Sequence, residues 1–431
     1  MASFVVACGN DHGAPNPGQA DAGSGSGGNV DASGMPDGNP LEPPTLFGTG
    51  LCVDQACTQI GSGILQYEPQ YVLFADGASK QRWISIPPGT TIDTSDPDHW
   101  VFPVGTKVWK EFDSEGVRVE TRYIVKIDDS EALTPDPWFY VSYQWNSMKG
   151  GDEQGTDTMA VTAGVDDANG TSHKIPSRSE CKGCHENLLP GRVLGFGALS
   201  LDFHQTTAGL LDLDGAIAAG LLSDPPAGSA SPHYPLPSDA TDADKAALGY
   251  MHANCGHCHN DSSPIFAGQT PINLRMDIAK LDHFANTTLA TSTIGRSGMV
   301  QTHVDGDLDG TPPNCAAFAD ISGQPGCTQI VVPDWATLTA YKAGDRIVNG
   351  GNAYICITAG TSGAVGPTGQ GTGVVDGTAT WDYAGTPLSR SILIYRFETN
   401  DVAKNMPAGG ANHTIDGSGD TILTTWVDQL P

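Results

Sequence analysis

Trp138-Phe139-Tyr140-Val141-Ser142-Tyr143-Gln144-Trp145 is the stretch that decides the fold of this chain. Eight consecutive positions are aromatic, β-branched or small and polar, with no helix-forming run among them. Such a segment packs well on a pleated surface and poorly on a helix. Outward from it lie Leu65-Gln-Tyr-Glu-Pro-Gln-Tyr-Val-Leu-Phe74, Arg82-Trp-Ile-Ser-Ile86, Lys107-Val-Trp-Lys-Glu-Phe112 and Arg118-Val-Glu-Thr-Arg-Tyr-Ile-Val125. All share its character, and Pro-Gly, Asp-Gly and Asp-Pro pairs punctuate them. Residues 46–170 are therefore expected to form an antiparallel β domain.

Before this domain, residues 9–45 are dominated by Gly, Asp, Pro, Asn, Ser and Ala. They offer almost nothing to bury and read as a tether. Val5-Val6-Ala7-Cys8 resembles the end of a bacterial lipoprotein signal, in which the cysteine is lipidated after cleavage. A basic start and a longer apolar stretch do not precede it. Cys8 is thus read either as a lipid anchor or as an incidental cysteine in a tail, and residues 1–45 as lipoprotein-like start and linker.

After the β domain the patterning changes. Asp239-Ala-Thr-Asp-Ala-Asp-Lys-Ala-Ala-Leu-Gly-Tyr-Met-His252 carries acids at its start and apolar Ala247, Leu248 and Met251 behind them, a helix signal. Gly419 to Leu430 places Ile422, Leu423, Trp426, Val427 and Leu430 on one helical face. Residues 333–385 are Gly/Thr-rich with widely spaced aromatics, and read as a small all-β insertion.

Two motifs carry chemistry. Cys181-Lys-Gly-Cys184-His185 and Cys255-Gly-His-Cys258-His259 are both C-x-x-C-H. Two thiols at this spacing add to the two vinyl groups of one porphyrin, and the adjacent histidine ligates the iron. With 10 Cys and 12 His in 431 residues, chance supplies about 0.006 such matches, so two are not accidental. A thioredoxin-type pair lacks the obligatory histidine, and a zinc site would leave both histidines unexplained. The expected cofactors are two covalently bound haem c groups, held by Cys181, Cys184, Cys255 and Cys258, with His185 and His259 on iron.

Asn405-Met406-Pro407 precedes the last helix. The order helix, C-x-x-C-H, long loop with Met-Pro, closing helix is that of a class I cytochrome c, which makes Met406 the expected sixth ligand of the second haem; otherwise Met406 is an apolar loop residue. For the first haem His173, His204, His233, Met148 and Met159 remain open, with His173 the named candidate, and so does an unfilled position. The expected fold class is α+β multidomain: the N-terminal β domain, then α-helical cytochrome c-like haem domains over 171–238 and over 239–332 with 386–431, interrupted by the β insertion at 333–385.

Several stretches resemble the bacterial diheme c-type cytochromes that carry a β domain ahead of the haems. They are Asp76 to Trp83, Phe102 to Phe112, Val119 to Arg122, Ile175 to Arg178, Val193 to Phe196, Tyr250 to His259 and Ser391 to Arg396. The resemblance covers about 50–330 and 386–431 and implies haem binding and electron transfer, with no substrate. The insertion resembles carbohydrate-binding modules of chitinases and phage tail proteins through Trp335, Tyr341-Lys-Ala-Gly344-Asp345, Val348, Gly350, Tyr354, Pro367 and Trp381. That resemblance implies a polysaccharide partner such as chitin, with Trp335 and Tyr341 as the exposed pair; alternatively these aromatics form the core of a domain that binds nothing.

A net charge of −28 argues against nucleic acid and favours cationic partners, including a cationic redox partner protein. No run of about 18 apolar residues occurs. Cys52 with Cys57 and Cys315 with Cys327 are each spaced to close a short loop in an oxidising compartment, leaving Cys356 unpaired. These observations point to an electron carrier of the periplasm or cell surface. A diheme peroxidase-like enzyme and a polysaccharide-binding surface protein are the alternatives.

Overall fold

A computed structural model describes residues 41–130, 136–189, 192–228, 231–263, 272–293, 334–385 and 416–429. Cys8, Cys315, Cys327, the Ser391 to Arg396 stretch and Met406 lie outside the described residues. The chain divides into two compact units, one built on residues up to Tyr234 and the other on the residues from Pro235 onward.

The first unit is organised by a seven-stranded sheet. Its strands are β1 (Leu65–Tyr67), β2 (Ser79–Ser85), β3 (Lys107–Ser114), β4 (Val117–Lys126), β5 (Trp138–Trp145), β6 (Thr158–Val161) and β7 (Leu210–Leu211), in the spatial order β6-β5-β4-β3-β2-β1-β7. All pairings are antiparallel except β1 with β7. The first strand is shorter than its sequence promised, because Pro69 follows it and donates no ladder hydrogen bond.

Opposed residues across the ladders share a face, so the sheet has two characters. Trp83, Trp109, Tyr123 and Val141 form one cross-strand row. They are buried with Trp145, Tyr143, Leu46 and Leu51 as an aromatic core. The opposite face carries the rows Arg82–Lys110–Arg122–Ser142 and Ile84–Val108–Ile124–Tyr140. On this second face Phe196 packs against Tyr67, Trp100 and Phe102, with ring centroids 4.8, 5.9 and 6.1 Å away. Cys52 and Cys57 are joined in a disulfide, and Cys356 is unpaired and buried.

Among the described residues the expected α-helical cytochrome c-like haem domains are not found. The described residues are mostly β, and only three of their helices reach seven residues: α1 (Arg178–His185), α4 (Asp242–Asn254) and α6 (Gly417–Gln429). The others, α2 (Ala198–Leu201), α3 (Leu213–Ala218) and α5 (Thr288–Thr293), are single turns or little more. The physical reason is local. The two-turn α1 has no apolar face of its own to build a helical core, and packs instead against β5 of the sheet.

In the second unit α4 and α6 pack together. Leu423, Trp426 and Val427 are buried, as are Ala247, Leu248 and Met251, and Trp426 Nε1 donates to Asp244 Oδ1 at 3.0 Å. The same unit contains the small β module, a four-stranded sheet ordered β12-β13-β10-β9 and a two-stranded pair β11-β8. These strands are β8 (Ala340–Tyr341), β9 (Arg346–Asn349), β10 (Asn352–Thr358), β11 (Gly360–Thr361), β12 (Val374–Asp376) and β13 (Ala379–Gly385). Asp334 bridges Val348, Val348 pairs with Ala353, and Ala353 pairs with Gly385. The two ends of the module therefore lie in one cross-strand row, about 14 Å apart at the usual strand spacing.

Candidate functional site

The first C-x-x-C-H motif occupies α1. Ser177 starts this helix with a capping box: its side chain accepts from the Glu180 amide, and Glu180 reaches back to the Ser177 amide. Lys174 pairs with Glu180 at 2.7 Å, and Arg178 Nε donates to the Tyr140 carbonyl at 2.7 Å, which fastens the helix to β5. Cys181, Cys184 and His185 stand at i, i+3 and i+4, so all three side chains share one face of α1.

His185 is held from behind. Its Nδ1 lies 2.6 Å from the Arg192 carbonyl, which can only accept, so Nδ1 carries the proton and Nε2 keeps its lone pair. A carbonyl bonded to the rear nitrogen in this way fixes the orientation of a metal-binding imidazole. Arg192 adopts φ +57, a left-handed conformation uncommon outside glycine, and its guanidinium bonds Asp136 Oδ1 at 2.5 Å with the arginine side chain 0% exposed. Burial pushes His185 down to about 4, with the charges of Lys110, Arg122 and Arg192 adding to it against the Arg192 carbonyl. The ring is therefore neutral at ordinary pH, the form that binds a metal. Burial likewise pushes the Cys181 thiol up to about 11.

The second motif is built differently. Thr241 and Asp244 form a capping box at the start of α4, and Cys255 caps its end. Cys258 and His259 lie in the turn beyond, their amides donating to the Cys255 carbonyl at 3.1 and 2.9 Å. Asn260 Nδ2 closes the turn by donating to the carbonyls of Gly256 and His257. The His259 carbonyl accepts from Leu274. Gly256 is required by close approach: a Cβ there would stand 2.8 Å from both the Arg275 Cα and the His252 carbonyl. Burial pushes His259 down to about 4 and Cys255 up to about 12.

Both motifs thus present two cysteine thiols and one neutral imidazole. That donor set fits a porphyrin, which brings four nitrogens of its own and asks the protein for two thiol sulfurs to add to its vinyl groups and for an axial base. Among the described residues no group of three or more His, Cys, Asp or Glu side chains converges for a bare metal ion.

The other named residues are placed as follows. His173 is buried, and its Nε2 lies 2.9 Å from Glu120 Oε1. His233 Nε2 lies 2.9 Å from Asp214. His204 is exposed, as are Met148 and Met159. Trp335 and Tyr341 are half-buried against the module core of Ile347, Tyr354, Cys356, Ala379 and Trp381. Trp335 Nε1 donates to Asp376 at 2.8 Å, and Tyr341 meets Trp381 edge-on at 4.9 Å.

Sequence reading missed the Arg192 carbonyl, which leaves no residue-type signature, and the charged row Arg82–Lys110–Arg122. Each cation of that row sits beside an aromatic or β-branched neighbour in its strand, and that alternation was the available signal. No helix among the described residues is long and apolar enough to cross a membrane. No protein-family model matches the chain, and no curated protein matches it.

Proposed function

We propose that the chain is a diheme electron-transfer protein of c type, with one haem attached at Cys181 and Cys184 and the other at Cys255 and Cys258. The observation that carries this reading is the 2.6 Å bond from His185 Nδ1 to the Arg192 carbonyl. It fixes the tautomer and leaves Nε2 for iron. The thiols of each motif would anchor the porphyrin edge, while His185 and His259 would serve as proximal ligands. When bound, each haem supplies a one-electron centre. The chain's own residues hold both imidazoles neutral by burial, seat α1 on the sheet through Arg178, and tie His259 to Leu274. The acidic surface charge suits a cationic redox partner in the periplasm or at the cell surface.

A second reading is a diheme redox enzyme of peroxidase type with an open position on the first iron. It is favoured by the engagement of His173 Nε2 with Glu120 and of His233 Nε2 with Asp214, which occupies two of the candidate distal ligands.

Pyridine haemochrome of protein made with a c-type maturation system should count two haems per chain, and Cys181→Ser/Cys184→Ser should reduce the count to one. A wild-type count below two refutes the proposal. Low-spin or high-spin electron paramagnetic resonance of the first iron separates the two readings.

A further inference from the structure

Arg82 on β2, Lys110 on β3 and Arg122 on β4 stand directly opposite one another across three strands. Like charges opposed on neighbouring strands repel, and charge taken from water needs a partner. Only Arg122 has one: its Nε and Nη2 donate to Glu120 Oε1 at 2.8 and 2.6 Å. Arg82 is 3% exposed and makes no hydrogen bond or ion pair with a described residue. Lys110 makes none either, and its ammonium lies 4.9 Å from the centre of the Phe112 ring. Burial and the neighbouring Arg82, Lys80 and Arg122 hold Lys110 well below the ordinary lysine range. Among the described residues these two partly or fully buried cations thus have no carboxylate bonded to them, and Glu68 and Glu120 act on Arg82 and Lys110 only electrostatically.

This row adjoins the first motif. Ser142 of β5 ends the row, and two residues before it on the same face the Tyr140 ring lies 5.5 Å from the His185 ring, while Arg178 of α1 donates to the Tyr140 carbonyl. Lys110 and Arg122 act electrostatically on His185 across this short span. We infer that Arg82 and Lys110, with Arg122 beside them, receive the two propionate carboxylates of the haem attached at Cys181 and Cys184. The inference rests on the haem reading above and adds to it the seat of the cofactor's charged edge. The charge balance is the core of the case, since a haem brings two carboxylates and the row offers two unpaired cations. Bidentate carboxylate recognition suits Arg82, and a point charge suits Lys110.

The experiment uses the full chain matured with both haems, one preparation carrying haem labelled with 13C at the propionate carboxyls. Lys110→Gln should lower the midpoint potential of one of the two haems, because losing a nearby positive charge favours the oxidised iron, and should leave the other unchanged. The labelled carboxylate bands in the redox-difference infrared spectrum should shift, and Lys110→Arg should keep both readouts as in the wild type. Unchanged potentials and bands in both Lys110→Gln and Arg82→Gln, at two haems per chain, overturn the assignment. If Lys110→Gln matures with one haem, restoration of two by Lys110→Arg upholds it, and failure of the arginine variant overturns it. A wild-type protein without haem defeats the underlying reading instead, and the haemochrome count reports that separately.

Discussion

Replacing Glu120 by glutamine should remove a large share of the stability of the β-sheet unit. Glu120 is 0% exposed and accepts from Arg122 at 2.8 and 2.6 Å and faces His173 Nε2 at 2.9 Å. Glutamine keeps the shape and deletes the charge, leaving a half-buried guanidinium without its anion. Breaking a buried pair on one side costs about 3–5 kcal/mol. Against a domain stability of about 5–15 kcal/mol this is severe, and for a unit of this size it corresponds to a drop of roughly 6–20 °C in melting temperature. The double variant Glu120→Gln/Arg122→Met should recover part of the loss, because the orphaned charge goes with the arginine. Acid dependence gives a second reading. Burial pushes the Glu120 carboxyl up, but the charge of Arg122 and the bonds from His173 and Arg122 outweigh it, and the net value lies below the ordinary 4.5. A carboxyl lower in the folded state stabilises fully above 4.5 and loses that contribution as pH falls toward its folded value. The wild type should therefore lose stability below about pH 4.5 more steeply than Glu120→Gln. Calorimetry across pH 3–7 measures both effects; a loss under about 1 kcal/mol at pH 7 would refute the coupling of this carboxylate to the sheet.

Gly256→Ala should cost about 1–3 kcal/mol, since the new methyl meets the backbone of Arg275 and His252 at 2.8 Å; haem counting should show the loss at the second motif alone. Trp426→Phe strips Asp244 of its 3.0 Å donor and should cost about 1–3 kcal/mol in denaturant unfolding. Deleting residues 333–385 and bridging the gap should leave two haems per chain, as haemochrome will check. Retention of chitin by the full chain but not by the shortened one would mark the module as a glycan anchor, and equal retention would leave Trp335 and Tyr341 as core residues.

The strands were legible because their signal is local. Trp138–Trp145 and Lys107–Ser114 alternate within single segments, and the acids before Ala247 and Leu248 announced α4. The parallel pairing of β1 with β7 was not legible, since Gln66 and Leu210 meet across 144 positions with no pattern linking them. Helical haem domains follow in the sequence from the helix signals at 239–252 and 419–430 and from motif order. Neither says what a short motif-bearing helix packs against, and α1 takes its support from β5. At the site, thiol and imidazole spacing is legible because each motif lies within five consecutive residues. The carbonyl of Arg192 and the alignment of Arg82 with Lys110 and Arg122 depend on backbone path and strand register, which no single segment records.

The two-faced sheet divides labour between folding and adaptation. A one-residue slip of β3 would bring Lys110 into the aromatic layer and turn Trp109 toward the cations, so register is policed by the bulk of Trp83, Trp109, Tyr123 and Trp145. That policing needs no help from the opposite face. Charges at 82 and 110 can be exchanged over generations while the strands keep their alignment, and a lineage could retune the electrostatics around His185 by single substitutions at these two positions without renegotiating the architecture that holds it, whereas 122 is tied to Glu120.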